Sequence, residues 1–406
     1  VIELQSEADQ VFREASIARM GERINLAVPR RPSISEAWLD RHASALSSML
    51  TAVSTFEQPT TPWLTGVPHI HLGPRAPIIR RYGVGRLTSM TGGESARSRL
   101  REIDATANIV HFANFLKLLG DPGKLLPDVA TLVYVHGFDI TWSPFRWCPI
   151  PYKSFGNTER YVERLIEMSH RVLFVANSQH SRQHLLQAGF PEDRVEVCYL
   201  PVETPRAASR HEDRKSLSPI QLLYVGRFVD FKGPVETVKA VALARTRGAE
   251  VELTMVGDGE LRGEVESTID ALDARGYIKT VGFVPNDEVH RRLRESDGFL
   301  LHNKVARKSG QVEAFGYAHA EALANGVPVL TATAGAPAEY LEHCGNSLLV
   351  EPGDIEGQAA NIERFASDHA LRNTLECEAR ATVERLFSRQ AHAERVGALL
   401  RNERGS

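Results

Sequence analysis

From Ile24 onward, short apolar runs alternate with longer stretches whose apolar positions recur at helical spacing, a pattern that predicts parallel α/β construction. A first series of predicted strands comprises Ile24–Val28, Leu132–Val135, Val172–Ala176 and Val195–Leu200. Between them the pattern predicts helices over Ser35–Leu50, opened by a Ser cap, and Thr158–Ser169. A second series comprises Gln221–Val225, Val251–Val256, Ile278–Val281, Gly298–Leu301, Val327–Thr331 and Leu348–Val350. After Gly353–Asp354 the chain reads as wholly helical, over Ile355–Ser367, Ala370–Leu386 and Ser388–Asn402, with Ser388 as an N-cap. Ahead of the first strand, Leu4, Ala8, Val11, Phe12 and Ala15 share one face of an amphipathic helix. Its stripe is short and poor in aromatics, which favours packing onto the protein over a membrane anchor.

Two doubly wound sheets are therefore expected, and the chain breaks between them at Thr204–Ser218, a polar stretch of charges and small residues. The expected organisation is an N-terminal helical extension (1–21), a first Rossmann-like domain (22–205), a linker (206–218), a second Rossmann-like domain (219–386) and a closing helix (387–406) that returns toward the first domain. A length of 406 residues agrees with two domains. Hydrophobic residues at 42% and charged residues at 24% exclude a disordered or fibrous chain. Lys plus Arg (48) nearly balances Asp plus Glu (51), so the basic excess of a nucleic-acid-binding protein is missing. The cysteines, Cys148, Cys198, Cys344 and Cys377, form no CxxC pair and suggest neither a disulfide framework nor structural zinc. No apolar run is long enough to span a bilayer and the start lacks a signal-peptide layout, so a cytoplasmic protein is expected, with peripheral contact at the inner membrane face left open.

In open parallel sheets ligands bind beyond the carboxyl ends of the strands. There the chain places His136-Gly137-Phe138-Asp139, Asn177-Ser178, Gly226-Arg227, Gly257-Asp258-Gly259-Glu260 and His302-Asn303-Lys304. Gly226 allows a sharp turn, Arg227 follows at once, and Lys232 stands where a helix begins. A guanidinium and an ammonium at a helix start suit a diphosphate. The same residues also read as a solvated loop with two surface cations. The most specific segment runs from Glu313 to Glu321, followed by Gly326-Val-Pro328. With a helix starting near Gly316, Glu313 precedes its N-terminus and Glu321 lies inside it, so the carboxylates suit sugar hydroxyls and a ribose diol. Alternatively, Glu313 is a helix-start acid and Glu321 a surface residue. A glycoside-hydrolase acid/base pair ranks lower, because it leaves Arg227 and Lys232 without a role. No Asp-x-Asp, HExxH or clustered His/Cys ligands occur, so no catalytic metal is indicated, and GxSxG is absent.

The order and spacing of Pro32–Glu36, His136–Asp139, Val175–Ser178, Val225–Gly233, Val256–Glu260, Gly282–Val284, the Glu313/Glu321 pair, Gly326–Val329, Ala336–Glu339 and Pro352–Asp354 resemble the retaining glycosyltransferases of family 4. The resemblance covers roughly residues 22–390. It implies a GT-B fold, with two facing Rossmann-like domains, a cleft between them and C-terminal helices. It implies a hexosyltransferase that needs no metal or cofactor, takes a nucleotide diphosphate sugar (UDP favoured, GDP next) as co-substrate, and transfers to a saccharide, lipid-linked saccharide or small-molecule hydroxyl with retained configuration. Arg227 and Lys232 would bind the diphosphate, with Gly226 and Gly257 at the donor. Glu313 and His136 would contact the donor sugar, and Glu321 the ribose. Phe283 and Val284 would flank the base, and backbone at Phe315, Gly316 and Tyr317 would lie near sugar and phosphate. The chain departs from the family where many members carry Gly-Gly after the first strand; here Pro29-Arg30-Arg31-Pro32 follows, and Gly92-Gly93 comes too late. Arg30 or Arg31 substitutes for that loop or is merely solvated. A run of arginines from Arg75 to Arg101, including Arg80 and Arg81, suits an anionic lipid surface or phosphorylated acceptor, or is a solvated face. An epimerase or phosphorylase on the same fold, and a non-catalytic assembly subunit, are the competing functions.

Overall fold

The computed structural model describes residues 22–30, 37–55, 63–64, 66–72, 102, 104–116, 129–140, 159–203 and 219–405. The chain divides into two compact units, Val1–Trp142 with Pro149–Leu200 and Arg389–Ser406, and Ser143–Cys148 with Pro201–Ser388.

The first unit is built from β1 (Ile24–Val28), α1 (Ala37–Ala45), β2 (Leu50–Thr55), β3 (His69–His71), β4 (Ala107–His111), β5 (Ala130–Val135), α2 (Glu159–Met168), β6 (Leu173–Ala176), α3 (Gln179–Gln187) and β7 (Val195–Val197). Its strands lie in the order β3-β2-β1-β4-β5-β6-β7, and every neighbouring pair is parallel. A sheet covered on both faces needs strands apolar at consecutive positions, and β1 and β4 are buried throughout. Their polar residues satisfy one another: Asn25 Nδ2 donates to Asn108 Oδ1 at 3.0 Å, and Ser54 Oγ donates to Asn25 Oδ1 at 2.7 Å. Val110, Val133, Phe174 and Leu185 belong to the core on one face. The helix expected over Ser35–Leu50 ends at Ala45, because Leu50 already opens β2, a strand the apolar pattern did not predict.

The second unit contains β8 (Ile220–Val225), α4 (Pro234–Thr246), β9 (Val251–Val256), α5 (Arg262–Ala271), β10 (Ile278–Val281), α6 (Asn286–Glu295), β11 (Gly298–Leu300), α7 (Tyr317–Ala324), β12 (Val329–Ala332), β13 (Ser347–Val350), α8 (Ile355–Ser367) and α9 (His369–Leu386). The order β10-β9-β8-β11-β12-β13 is again all parallel. In both sheets the order reverses at the first strand, so helices cover both faces and ligands are expected at the carboxyl edge.

The last helix, α10 (Arg389–Gly405), belongs to the first unit. It buries Val396, Leu399 and Leu400. Arg404 Nη2 donates to Glu22 Oε2 at 2.6 Å, and Arg395 Nε to the Val197 carbonyl at 3.1 Å. Among the described residues, no helix is long and apolar enough to cross a membrane. The amphipathic stretch expected near the start, Arg31, Arg80, Arg81, Gly92-Gly93 and the expected linker 206–218 lie outside the described residues. Arg30 is exposed.

Candidate functional site

Because its strands are parallel, the second sheet delivers Gly226, Gly257, Gly282 and the segment His302-Asn303-Lys304 to one edge. Leaving β8, the chain turns through Gly226 and Arg227 into a 3₁₀ turn, Asp230–Lys232, that leads into α4. Gly233 closes the turn at φ +54°, and a Cβ there would lie 1.9 Å from the His302 carbonyl oxygen, so only glycine fits against the exit of β11. Lys304 fixes the turn from that exit. Its Nζ reaches Asp230 at 2.7 Å and Glu236 at 2.6 Å, while its N–H donates to the Phe231 carbonyl at 3.0 Å.

The turn brings both expected cations around one ring, with Arg227 Cζ 5.8 Å and Lys232 Nζ 5.7 Å from the Phe231 centroid. Arg227 is exposed. Lys232 is not an open cation: its Nζ pairs with Glu313 Oε2, the side chains being 11% and 12% exposed. Glu313 Oε1 accepts the Gly316 N–H at 3.1 Å, so this carboxylate joins the turn after β8 to the start of α7. Burial pushes the Glu313 carboxyl up, but Lys232, His319 and the Gly316 N–H outweigh it and hold it below the ordinary value. Burial, reinforced by the Lys232 charge, drives the His319 imidazole down to about 3, so its ring is neutral at physiological pH.

Gly316 precedes α7 at φ +83°, where a Cβ would meet the Tyr340 hydroxyl at 2.6 Å. Phe315 is buried against Tyr340 and Phe387, which leaves only its backbone for a ligand, and Tyr317 Oη donates to the Pro201 carbonyl at 2.9 Å. Glu321 is buried inside α7, contrary to the surface alternative. Its Oε1 faces His290 Nε2 of α6 at 3.6 Å. Phe283 is 64% exposed after β10 and Val284 is half-buried, so the expected base-flanking pair stands at the same edge.

His136 lies in the first unit, at the end of β5. Its Nε2 is 2.9 Å from His111 Nδ1, and its ring centroid is 4.2 Å from that of Trp38. Asp139 fixes this strand exit by accepting the N–H groups of His136 at 2.8 Å and Ala113 at 2.7 Å. Burial raises the Asp139 carboxyl to about 6 despite those bonds. His42 packs on His111 and on His392 of α10, with centroids 4.7 Å and 4.6 Å apart. Burial, with neighbouring imidazoles, lowers His42, His111 and His136 well below 6.5. Among the described residues no group of three or more His, Cys, Asp or Glu is placed to hold a metal.

Lys304, His319 and His290 make contacts around the candidate residues that the residue reading did not assign. Lys304 was visible as a strand-exit cation and His319 as a residue between the two glutamates. His290, on a helix of alternating charges, gave no signal.

Arg227, Lys232, Glu313 and Glu321 lie within the stretch 206–382, which matches the family model described as "Glycosyl transferases group 1". Over 330 residues the chain is 29% identical to the amylovoran biosynthesis glycosyltransferase AmsK of Erwinia amylovora, covering 79% of this chain and 77% of AmsK. It is 25% identical over 217 residues to the putative colanic acid biosynthesis glycosyltransferase WcaL of Salmonella typhimurium, about half of each chain (53% and 53%). The fold is similar to that of HepE of Anabaena, solved in complex with UDP, at TM-score 0.74 and 18% identity over 94% of this chain and 100% of that one. It is also similar to sucrose-phosphate synthase of Thermosynechococcus elongatus, at TM-score 0.69 and 17% identity over 94% and 98%. The two Rossmann-like units are those of the GT-B fold.

Proposed function

We propose that the protein is a retaining, metal-independent hexosyltransferase that moves a sugar from a nucleotide diphosphate, UDP by preference, to a hydroxyl of a saccharide or lipid-linked saccharide. The observation that carries this reading is the gathering of Arg227, Lys232 and Glu313 around the turn after β8 and the start of α7, within the family-matched stretch. UDP complexes of HepE support the choice of base, and the polysaccharide pathways named for AmsK and WcaL support an acceptor of that class.

In this reading the bond between the anomeric carbon and the leaving β-phosphate oxygen breaks, and the acceptor oxygen bonds to the same face of that carbon. The acceptor proton passes to the leaving phosphate, so no protein base is required. Arg227 and Lys232 stabilise the charge that grows on the diphosphate, with Gly226 and Gly257 giving backbone access. Glu313, held ionised by Lys232, accepts from donor-sugar hydroxyls, and Glu321 from the ribose diol. Phe283 and Val284 flank the base, backbone at Phe315, Gly316 and Tyr317 lines the sugar and phosphate side, and His136 contacts the donor sugar. The first unit takes the acceptor, residues 206–218 act as linker, and the protein works in the cytoplasm. Arg80 and Arg81 meet an anionic acceptor or the membrane face; R80E/R81E should weaken vesicle or acceptor binding, and unchanged binding of both removes that assignment.

The test is incubation with UDP-, GDP- and ADP-sugars, read as slow donor hydrolysis and thermal stabilisation. A response to one nucleotide class, undiminished by EDTA, is expected, and silence toward all of them overturns the reading. R227A or K232A should lower turnover about 10²- to 10³-fold.

A further inference from the structure

Glu321 is buried, and a carboxylate meant to grip a diol must be held by something other than solvent. What faces it is His290, one of only three buried side chains in α6, with Val289 and Leu293. The proton position on this ring follows from the third member of the group. Asn325, the residue that ends α7, brings Nδ2 to the Glu321 carbonyl oxygen at 2.8 Å and to His290 Nδ1 at 3.0 Å. A carbonyl oxygen only accepts, so the amide must present its NH₂ group on that side. The same NH₂ group can then meet His290 Nδ1 only if that nitrogen accepts. The neutral ring therefore carries its proton on Nε2, and that N–H points at Glu321 Oε1 across 3.6 Å.

We propose that His290 is a positioning residue for Glu321, with the Nε2–H holding one lone pair of Oε1 so that the carboxylate keeps a fixed plane toward the ribose hydroxyls. Asn325 sets the tautomer, and because it also bonds the main chain of Glu321, it ties ring and carboxylate to the same turn of α7. A distance of 3.6 Å is longer than a made hydrogen bond, and a small rotation of the carboxylate closes it when the diol draws on the other lone pairs. The assignment rests on the reading of Glu321 as the ribose ligand.

The experiment compares binding of UDP and 2′,3′-dideoxy-UDP by calorimetry in the wild type, E321A, H290L and H290Q, using the GDP or ADP pair if the wild type prefers that base. The wild type should favour the ribonucleotide, and E321A should abolish the preference. H290L should cut it about three- to tenfold, the range for one hydrogen bond, while leaving dideoxy-nucleotide affinity unchanged. H290Q, which keeps an N–H donor near the position of Nε2, should restore most of it. If E321A abolishes the preference but H290L keeps it, or weakens both nucleotides equally, His290 has no positioning role. If E321A keeps the preference, Glu321 is not the ribose ligand, and the reading of the site fails together with the role of His290.

Discussion

Lys232 and Glu313 lie 81 positions apart in sequence, yet their side chains form one largely buried ion pair. Breaking such a pair from one side leaves the other charge buried without compensation, at a cost of about 3 kcal/mol. The signs can be followed through pH. In the native pair the Glu313 carboxyl is held below 4.5, so the pair contributes stability above that pH and loses it as the pH falls through the folded value. Lys232→Ala removes the main compensation and leaves burial, which pushes the carboxyl above its unfolded value. The penalty should then appear as the pH rises past about 4.5. Urea unfolding at pH 5 and pH 7 checks this: the deficit of K232A relative to wild type should be larger at pH 7, and K232A/E313Q should recover most of it. An equal deficit at both pH values would mean that Glu313 stays ionised without its partner.

At the scale of elements, the turn Asp230–Gly233 does more for the site than any single charge, since it decides where Lys232 points. Gly233→Ala would place a Cβ on the His302 carbonyl and force a left-handed backbone on alanine, which costs about 1–3 kcal/mol before the clash is counted. Nucleotide binding should fall with stability, whereas Gly248→Ala, also at positive φ but with open space around it, should leave binding intact. Calorimetric titration of both variants distinguishes a built turn from generic backbone strain. Three strands were legible in the sequence with their observed bounds: β1 is mostly apolar and buried throughout, while in β9 and β10 the apolar positions Val251, Leu253, Met255, Val256, Ile278 and Val281 frame the polar Glu252, Thr254, Lys279 and Thr280. β2, β3 and β4 were not. Their Ser54, Asn108, His69, His71 and His111 break the apolar run, and the bond that makes Ser54 compatible with burial goes to Asn25 of a neighbouring strand, as does that of Asn108. The site divides in the same way. Gly226-Arg227, Lys232 and the two glutamates announce themselves by local spacing, while the pairings Lys232 with Glu313 and His290 with Glu321 exist only after folding.

Among the described residues the buried imidazoles are spread unevenly over the two units, and the direction of their shifts predicts the order in which acid should dismantle them. In the first unit burial lowers His42, His111, His136 and His184 and takes His392 down to about 4; in the second it lowers His302 and takes His319 to about 3. Each of these groups binds a proton more readily in the unfolded chain than in the folded one. Stability is therefore complete above pH 6.5 and declines as the pH falls toward the folded values. For His392 alone, the separation between 6.5 and about 4 corresponds to roughly 3 kcal/mol by pH 4. With more of these groups, the first unit should yield first. Fluorescence of Trp38, packed on His136, should report its loss between pH 6 and pH 4, while 2′,3′-hydroxyl-dependent nucleotide binding by the second unit persists to lower pH. Ending the chain at Ser388 should have a related effect at neutral pH. It removes His392 together with Val396, Leu399 and Leu400, and it leaves Glu22 without Arg404. In a thermal melt the transition of the first unit should shift down by several degrees or vanish while that of the second unit holds. A single transition that moves as a whole would show instead that the two units unfold as one cooperative body.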